Sequence, residues 1–172
     1  MISAIGIRKS NIEGIGVFAK QDITRGTILH RMGGREVSRL RCVAGIIAGT
    51  IRKDDPLSVS ANTYLVLDDN SVAFNHSCNP NAVVNRNWDM VAIRDIARGE
   101  EITFDYALTV PISLLTRLWS MQCRCVAPNC RERIGTIATL SPAELDKYEP
   151  FRPLLPHVEK YLSTHVRELV KA

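Results

Sequence analysis

Two short segments carry the side chains best suited to bind or transform a ligand. They read Phe74-Asn75-His76-Ser77-Cys78-Asn79-Pro80-Asn81 and Gly99-Glu100-Glu101-Ile102-Thr103-Phe104-Asp105-Tyr106. Asn75 and His76 offer an amide and an imidazole side by side. The turn that follows them forces a change of direction, which leaves backbone N–H and C=O groups for a ligand. Phe104 and Tyr106 flank an acid at a strand end, which taken alone is also an ordinary core arrangement.

Three of the five cysteines form a Cys-x-Cys-x4-Cys run at Cys123, Cys125 and Cys130. Three thiolates need a fourth ligand to close a tetrahedral zinc site. Free thiols or a redox pair are the alternatives. Because the N-terminus shows no secretory leader, a disulfide framework is disfavoured. Cys42 has no second cysteine nearby and is predicted to be a small buried hydrophobe.

The composition favours one soluble domain with a modest appendage, since the 172 residues are 45% hydrophobic and 23% charged. The net charge is +4 with a pI near 8.9, and the basic residues are scattered. Scattered charge indicates a solvated surface rather than a nucleic-acid footprint. No apolar stretch is long enough for a bilayer span, and no signal-peptide pattern is present. We therefore expect an intracellular protein without a membrane anchor.

Closely spaced turn signals predict a mainly β fold of many short strands. Strands are expected over residues 5–7, 16–19, 27–29, 63–67, 82–85, 90–93 and 102–104. Asp68, Asp69 and Asn70 are interpreted as a hairpin turn into a further strand over 71–74. Residues 33–62 are interpreted as a variable insert, whose one apolar run is either a helix or a loop.

Beyond Tyr106 the pattern changes from strands to helices. Helical spacing appears over 112–119, Ser141 and Glu144 predict a capped helix, and residues 155–170 predict an amphipathic one. Neither histidine of that helix has a partner at metal-ligand spacing. Its apolar stripe either packs against the core or forms a homodimer contact, and it consists of Leu155, Val158, Leu162, Val166 and Leu169.

The two segments, in this order and followed by the cysteines, resemble the signature segments of the SET-domain protein lysine methyltransferases. The resemblance reaches from about Ile5 to Ile134. It implies an α+β fold of several small curved sheets. The strand ending at Tyr106 would pass through the loop that contains Asn75 and His76, which makes a pseudoknot. S-adenosylmethionine would then lie on one face of a narrow channel, and the lysine of an extended protein segment would enter from the other.

The resemblance also implies individual roles. The catalytic residues would be Tyr106, Tyr64 and Phe104. The cofactor contacts would come from Gly14, Ile15, Gly16, Tyr64, Asn75, His76 and Tyr106. A structural zinc ion would be held by Cys78, Cys123, Cys125 and Cys130. Where other members carry a tyrosine that binds a water, this chain has Phe104, which implies room for di- or trimethylation.

The implied organisation is a SET domain over 1–107, a zinc-binding post-SET segment over 108–135 and a helical tail over 136–172. No cysteine-rich segment precedes Ile5, so we expect a short free-standing member. Its substrate would be a histone or another basic protein, in the cytoplasm or the nucleus, and direct nucleic-acid binding is not expected.

One departure from the family concerns the end of the channel that holds the cofactor carboxylate or adenine. Many members carry an arginine where this chain has Val72, and the segment from Asp68 to Phe74 is abbreviated. These features favour the alternative function, a catalytically silent module that binds a protein. The presence of Asn75, His76 and Tyr106 together favours an enzyme.

Overall fold

The computed structural model describes residues 4–52, 55–60, 62–110 and 120–169, and its short strands form four small sheets. The strands are β1 (Ile5–Lys9), β2 (Ile15–Ala19), β3 (Ile28–Arg31), β4 (Gly34–Ser38), β5 (Pro56–Ser58), β6 (Thr63–Leu67), β7 (Asn75–His76), β8 (Ala82–Val84), β9 (Asp89–Ala92), β10 (Glu101–Phe104), β11 (Met121–Gln122) and β12 (Arg133–Ile134). The helices are α1 (Arg39–Ile47), α2 (Asp69–Val72), α3 (Pro142–Asp146) and α4 (Pro156–Leu169), with 3₁₀ turns at Tyr106–Leu108, Ile137–Thr139 and Glu149–Phe151. The predicted mainly β class is confirmed. The helix predicted over 112–119 lies outside the described residues.

One sheet brings together strands that are far apart in sequence. Its order is β1-β2-β10-β7, and β2 pairs antiparallel with both β1 and β10. β10 and β7 instead run parallel, with Thr103 opposite Asn75 and Phe104 opposite His76. A parallel pair needs a long connection. Here the connection contains β8 and β9, which form a second sheet with β3.

The region interpreted as a variable insert is built on a third sheet, of order β4-β6-β5. β4 pairs with β6 over five residues, from Gly34 opposite Leu67 to Ser38 opposite Thr63. Ser38 then caps α1, because its hydroxyl accepts the backbone N–H of Arg41 at 3.4 Å. The apolar run is therefore a helix. Cys42 is buried on it, as predicted.

The hairpin turn expected at Asp68, Asp69 and Asn70 is wrong. The Asp68 carboxylate accepts the backbone N–H of Ser71 at 2.8 Å, which makes Asp68 the N-cap of α2. A capping carboxylate satisfies an amide that the first helical turn leaves unpaired, so the chain forms a helix where turn propensity indicated a hairpin. α2 takes up the first half of the strand expected over 71–74, the second half forms no strand either, and β7 begins at Asn75.

The C-terminal region packs on the strands. The capping box at α3 is confirmed, with Ser141 and Glu144 exchanging hydrogen bonds. From the stripe of the last helix, Leu155, Val158 and Leu162 are buried against the core of the chain itself, whereas the side chains of Val166 and Leu169 lie outside the described part.

The core unites residues from the first strands with residues of the last helix. It includes Val17 and Ile102 from the first sheet, Tyr148 beyond α3, and Val158 from α4. His157 of α4 also donates to the carbonyl of Leu108 at 2.9 Å, and burial lowers the pKa of this histidine. The C-terminal helices are thus packed against the chain segment that follows Tyr106. Among the described residues, no helix has the length and apolar character that crossing a bilayer requires.

The hydroxyl of Tyr148 gives a first prediction, because it is buried and has no hydrogen-bond partner among the described residues. Removing an unsatisfied buried hydroxyl relieves its desolvation cost of about 1–3 kcal/mol. We therefore expect Tyr148→Phe to leave the free energy of unfolding unchanged or to raise it in urea denaturation. Leu154→Ala, at a neighbouring core position, should lower it by about 2–5 kcal/mol. A clear loss of stability in Tyr148→Phe would show that the hydroxyl has a partner after all.

Candidate active site

The tyrosine at the end of β10 lies beside the Asn-His pair of β7. The Tyr106 hydroxyl donates to the carbonyl of Phe74 at 2.8 Å, and its backbone N–H donates to Nδ1 of His76 at 3.2 Å. Its ring centroid lies 4.9 Å from that of Phe104 and 5.3 Å from that of His76. The parallel pairing of β10 with β7 thus brings together the two segments that the sequence singled out.

Asn75 ties the β1–β2 turn to this pair of strands. Its amide nitrogen lies 3.2 Å from the carbonyl of Glu13, 2.9 Å from that of Ile15 and 2.7 Å from a carboxylate oxygen of Glu101. An amide has two N–H donors, so these three acceptors share them. The asparagine side chain therefore positions the turn, and the cofactor contact predicted for Asn75 stays a prediction.

Glu101 and Gly16 complete the same connection, and sequence reasoning did not identify this role for either. The Glu101 carboxylate accepts the hydroxyl of Ser10, at 2.8 and 2.9 Å to its two oxygens, as well as the amide of Asn75. A Cβ on Gly16 would collide with that carboxylate. Glycine at position 16 therefore makes room for an internal carboxylate. The signal that could have revealed this was the acid directly before the apolar part of β10.

A cavity of about 450 Å³ adjoins these residues. Of the predicted site residues, it is lined by Tyr64, Asn75, His76, Phe104 and Tyr106. Gly14, Ile15 and Gly16 are not among its lining residues. Ile12 and Glu13 of the same turn line it instead. Val72, at the position where many family members carry arginine, also lines it.

Two further elements contribute walls: α1, which the sequence did not predict to lie there, and residues 120–134, called here the cysteine segment. α1 supplies Cys42, Val43 and Ile46, and the cysteine segment supplies Arg124 and Ile134. Arg124 forms an ion pair with Glu13 at 2.8 Å, which joins the cysteine segment to the β1–β2 turn. Both side chains of this pair are largely exposed. A surface pair of this kind contributes about 0–1 kcal/mol, so it closes that side of the cavity only weakly.

The four cysteines assigned to a metal lie together. The sulfurs of Cys78 and Cys123 are 3.7 Å apart, and Cys123, Cys125 and Cys130 are within hydrogen-bonding reach of one another. Backbone amides also point at sulfur, from Cys78 to Cys125 at 3.4 Å and from Arg131 to Cys78 at 3.3 Å. A tetrahedron with Zn–S bonds of about 2.3 Å has edges of about 3.8 Å, so the 3.7 Å between the Cys78 and Cys123 sulfurs fits a thiolate metal site.

The pKa values of these thiols differ although the sulfurs are neighbours. Burial raises the pKa of Cys78 to about 11 and raises that of Cys123 further still. Burial also acts on Cys125, but hydrogen bonds from the backbone amides of Cys78 and Ala127 outweigh it and lower its pKa to about 7. A metal ion would displace the remaining protons, because thiolates are the ligands.

His76 lies between the tyrosine and this cluster, and its imidazole is close enough to the Cys78, Cys123 and Cys125 sulfurs to be a fourth donor. Burial lowers the pKa of His76 to about 4, so the ring is neutral at pH 7. Because Nδ1 accepts the amide of Tyr106, the ring proton sits on Nε2, which lies 3.4 Å from the Cys78 sulfur. The imidazole Nε2–H is therefore a donor toward the Cys78 sulfur. Cys130 is not in the group of donor atoms that lie within 4.8 Å of one another, and the four-cysteine ligand set stays a prediction.

Comparison with known proteins agrees with this geometry. A family model described as the SET domain matches residues 14–107. The chain belongs to the SET-domain family. The matched range contains Tyr64, Asn75, His76 and Tyr106 and ends one residue after Tyr106, so three of the four clustered cysteines lie beyond it.

Several curated relatives are similar to most of this SET-domain chain. It is 31% identical over 145 residues to histone-lysine N-methyltransferase trr of Drosophila melanogaster, covering 73% of this chain and 6% of that protein. It is 29% identical over 147 residues to the H3 lysine-36 specific histone-lysine N-methyltransferase of Candida albicans, covering 77% and 17%. It is 32% identical over 144 residues to human histone-lysine N-methyltransferase 2B, covering 74% and 5%. The chain thus spans less than a fifth of the length of these relatives.

Proposed function

We propose that this SET-domain chain is an S-adenosylmethionine-dependent protein-lysine N-methyltransferase. The observation that carries the proposal is the Tyr106 hydroxyl, which is fixed 2.8 Å from the Phe74 carbonyl at the wall of the cavity. The family match and the names of the relatives support the same activity.

The cavity suits the cofactor in size and in the character of its walls. Small-molecule sites usually have volumes of about 300–1,000 Å³, and this one is about 450 Å³. The aromatic rings of Tyr64, Phe104 and Tyr106 line it, and such rings attract a cation through their faces. When bound, S-adenosylmethionine supplies a methyl group on a positively charged sulfur.

The protein must present the target lysine as a neutral amine. Free lysine has a pKa of about 10.4, and its ammonium form has no lone pair to attack with. Entry between Tyr64, Phe104 and Tyr106 removes the amine from water, which disfavours the charged form and lowers that pKa. The Tyr106 hydroxyl donates a hydrogen bond to the Phe74 carbonyl, so its oxygen would accept a hydrogen bond from the amine and orient it. Catalysis then consists mainly of positioning.

The substrate we propose is a lysine in an extended protein segment, from a histone or another basic protein. β5 lies at the edge of its sheet, and its residues Pro56, Leu57 and Ser58 all line the cavity. An edge strand can pair with an extended peptide through its main chain. The relatives are named as histone-modifying enzymes, which supports a histone and an intracellular site of action.

We further propose that Cys78, Cys123, Cys125 and Cys130 hold a structural zinc ion. Zinc at four thiolates has no open coordination position and performs no catalytic step. Its role would be to fasten the cysteine segment, which lines the cavity through Arg124 and Ile134, to the cysteine next to the Asn-His pair.

The activity test uses labelled S-adenosylmethionine with mixed core histones and other basic proteins. The wild-type chain should label lysine, and Tyr106→Phe should lower kcat by about a hundredfold or more because the amine loses its orienting oxygen. Calorimetry should show that Tyr106→Phe still binds the cofactor. Cofactor binding without any methyl transfer by the wild type would instead favour the silent binding module, the function to which Val72 points.

The size of the residue at position 104 should set the number of methyl groups. Phe104 is buried and lies against Tyr106. With phenylalanine, mass spectrometry under exhaustive conditions should show di- or trimethyl-lysine. Phe104→Tyr adds a hydroxyl that can hold a water, so its product should stop at monomethyl-lysine. Only monomethyl-lysine from the wild type would contradict the assignment.

Removal of zinc should loosen the wall of the cavity. A chelator strong enough to strip the thiolates should lower the methylation rate by about tenfold or more, and metal analysis of untreated protein should give one zinc per chain. Cys125→Ser should lose the zinc. Cys42→Ser, which removes a buried cysteine outside the cluster, should retain it. A metal-free preparation with full activity would disprove the structural role.

A further inference from the structure

The carboxylate next to the tyrosine is buried and fully paired. Asp105 is 1% exposed, and it receives both terminal nitrogens of Arg131, at 2.7 Å on Oδ1 and 2.8 Å on Oδ2. Oδ1 also accepts the backbone N–H of Ala107 at 3.1 Å, which caps the 3₁₀ turn Tyr106–Leu108. Both oxygens therefore have fixed directions. Asp105 sets the start of the turn that carries the Tyr106 ring.

The same arginine is anchored at two other places. Its backbone N–H donates to the Cys78 sulfur at 3.3 Å, and its guanidinium contacts Glu144 of α3 at 3.1 Å. Arg131 directly follows Cys130, the last of the clustered cysteines. One residue thus connects the cysteine segment, the turn at Tyr106 and the C-terminal helices.

The chemistry of the contact requires an arginine. A guanidinium matches a carboxylate with two parallel hydrogen bonds, whereas an ammonium supplies a single point charge. In this site Nε of Arg131 is buried without a hydrogen-bond partner among the described residues. A buried N–H left unpaired is unfavourable, and a lysine would avoid that defect. The site has an arginine in spite of this cost, which indicates that the two parallel hydrogen bonds from the guanidinium to Asp105 matter.

We propose that Arg131 is a positioning residue for Tyr106, acting through Asp105. When the cysteine segment is seated, the guanidinium holds the Asp105 carboxylate, the carboxylate holds the turn, and the turn aims the phenol at the cavity. Formation of the site is thereby coupled to docking of the cysteine segment. The inference rests on the proposed methyl transfer for its role in catalysis, while its geometric part can be tested without any activity.

The kinetic test compares Arg131→Lys and Arg131→Gln with Arg133→Gln. Arg133 is exposed, belongs to the same segment and donates from its side chain to the Ser120 hydroxyl, so it is a matched control. Both Arg131 variants should lose about tenfold or more in kcat, with a smaller change in KM and an unchanged zinc content, and Arg133→Gln should match the wild type. Loss of zinc together with activity would reveal a purely structural role and overturn the proposal. So would values of kcat within about twofold of the wild type.

A double-mutant cycle tests the route through Asp105. Asp105→Asn combined with Arg131→Gln removes both charges, so neither partner is left buried and unpaired. If Arg131 acts through Asp105, the double variant should lose no more kcat than the worse single variant. Losses that multiply would mean that Arg131 acts by another route.

Tyrosine labelling gives a readout that needs neither methyl transfer nor a substrate. The chain has four tyrosines, so ¹³C-labelled tyrosine gives a small set of ring signals, and Tyr106→Phe assigns the one of interest. Arg131→Lys, which keeps the charge and is the variant best placed to fold, should shift and broaden the Tyr106 signal, and Arg133→Gln should not. An unmoved Tyr106 signal in Arg131→Lys overturns the inference. If the Tyr106 signal shifts in Arg131→Lys but the wild-type chain transfers no methyl group, only the proposed function is refuted.

Discussion

The parallel pairing of β10 with β7 is the constraint on which the rest of the site depends. It joins only two residues of each strand, Thr103 with Asn75 and Phe104 with His76. A pair this short adds little stability by itself, since an isolated two-stranded unit is marginal. It is held because β10 also pairs with β2, and because the core packs beneath it through Ile102 and Phe104. The position of a single phenol is thus determined by a sheet, a core and a set of side-chain hydrogen bonds.

In those hydrogen bonds, the polar side chains of the two signature segments bond to other parts of the protein. The amide of Asn75 bonds the β1–β2 turn, the imidazole of His76 bonds a cysteine and a backbone amide, and the Asp105 carboxylate bonds an arginine. Each group is buried and has its partners, as buried polar groups require. The main chain and the aromatic rings are then left to shape the cavity. Residues of the signature segments therefore serve the geometry of the site as much as contact with a ligand.

Much of the site could be predicted from the sequence, because its chemistry is concentrated in two runs and a cysteine cluster. The class of fold, the strand pair over residues 82–92, the capped α3 and the meeting of Tyr106 with His76 all follow from local patterns or from the resemblance. The hairpin expected at Asp68 was wrong because one carboxylate can serve either a turn or a helix cap, and its neighbours decide which.

The partners of Asn75 and Arg131 could not be predicted, because they lie on segments 60 and 26 residues away. No local spacing encodes such contacts. The wall of the cavity that α1 supplies could not be predicted either, because the sequence pattern of that region left helix and loop equally open.

The packing of the last helix has a consequence for where this protein can be divided. The family match ends at residue 107, yet Leu155, Val158 and Leu162 complete the same core that contains Val17 and Ile102. A fragment cut at the end of the match would expose that apolar surface to water and leave Asp105 without its cation. The hydrophobic core therefore extends beyond the recognisable domain, and the C-terminal helices contribute to it together with the strands.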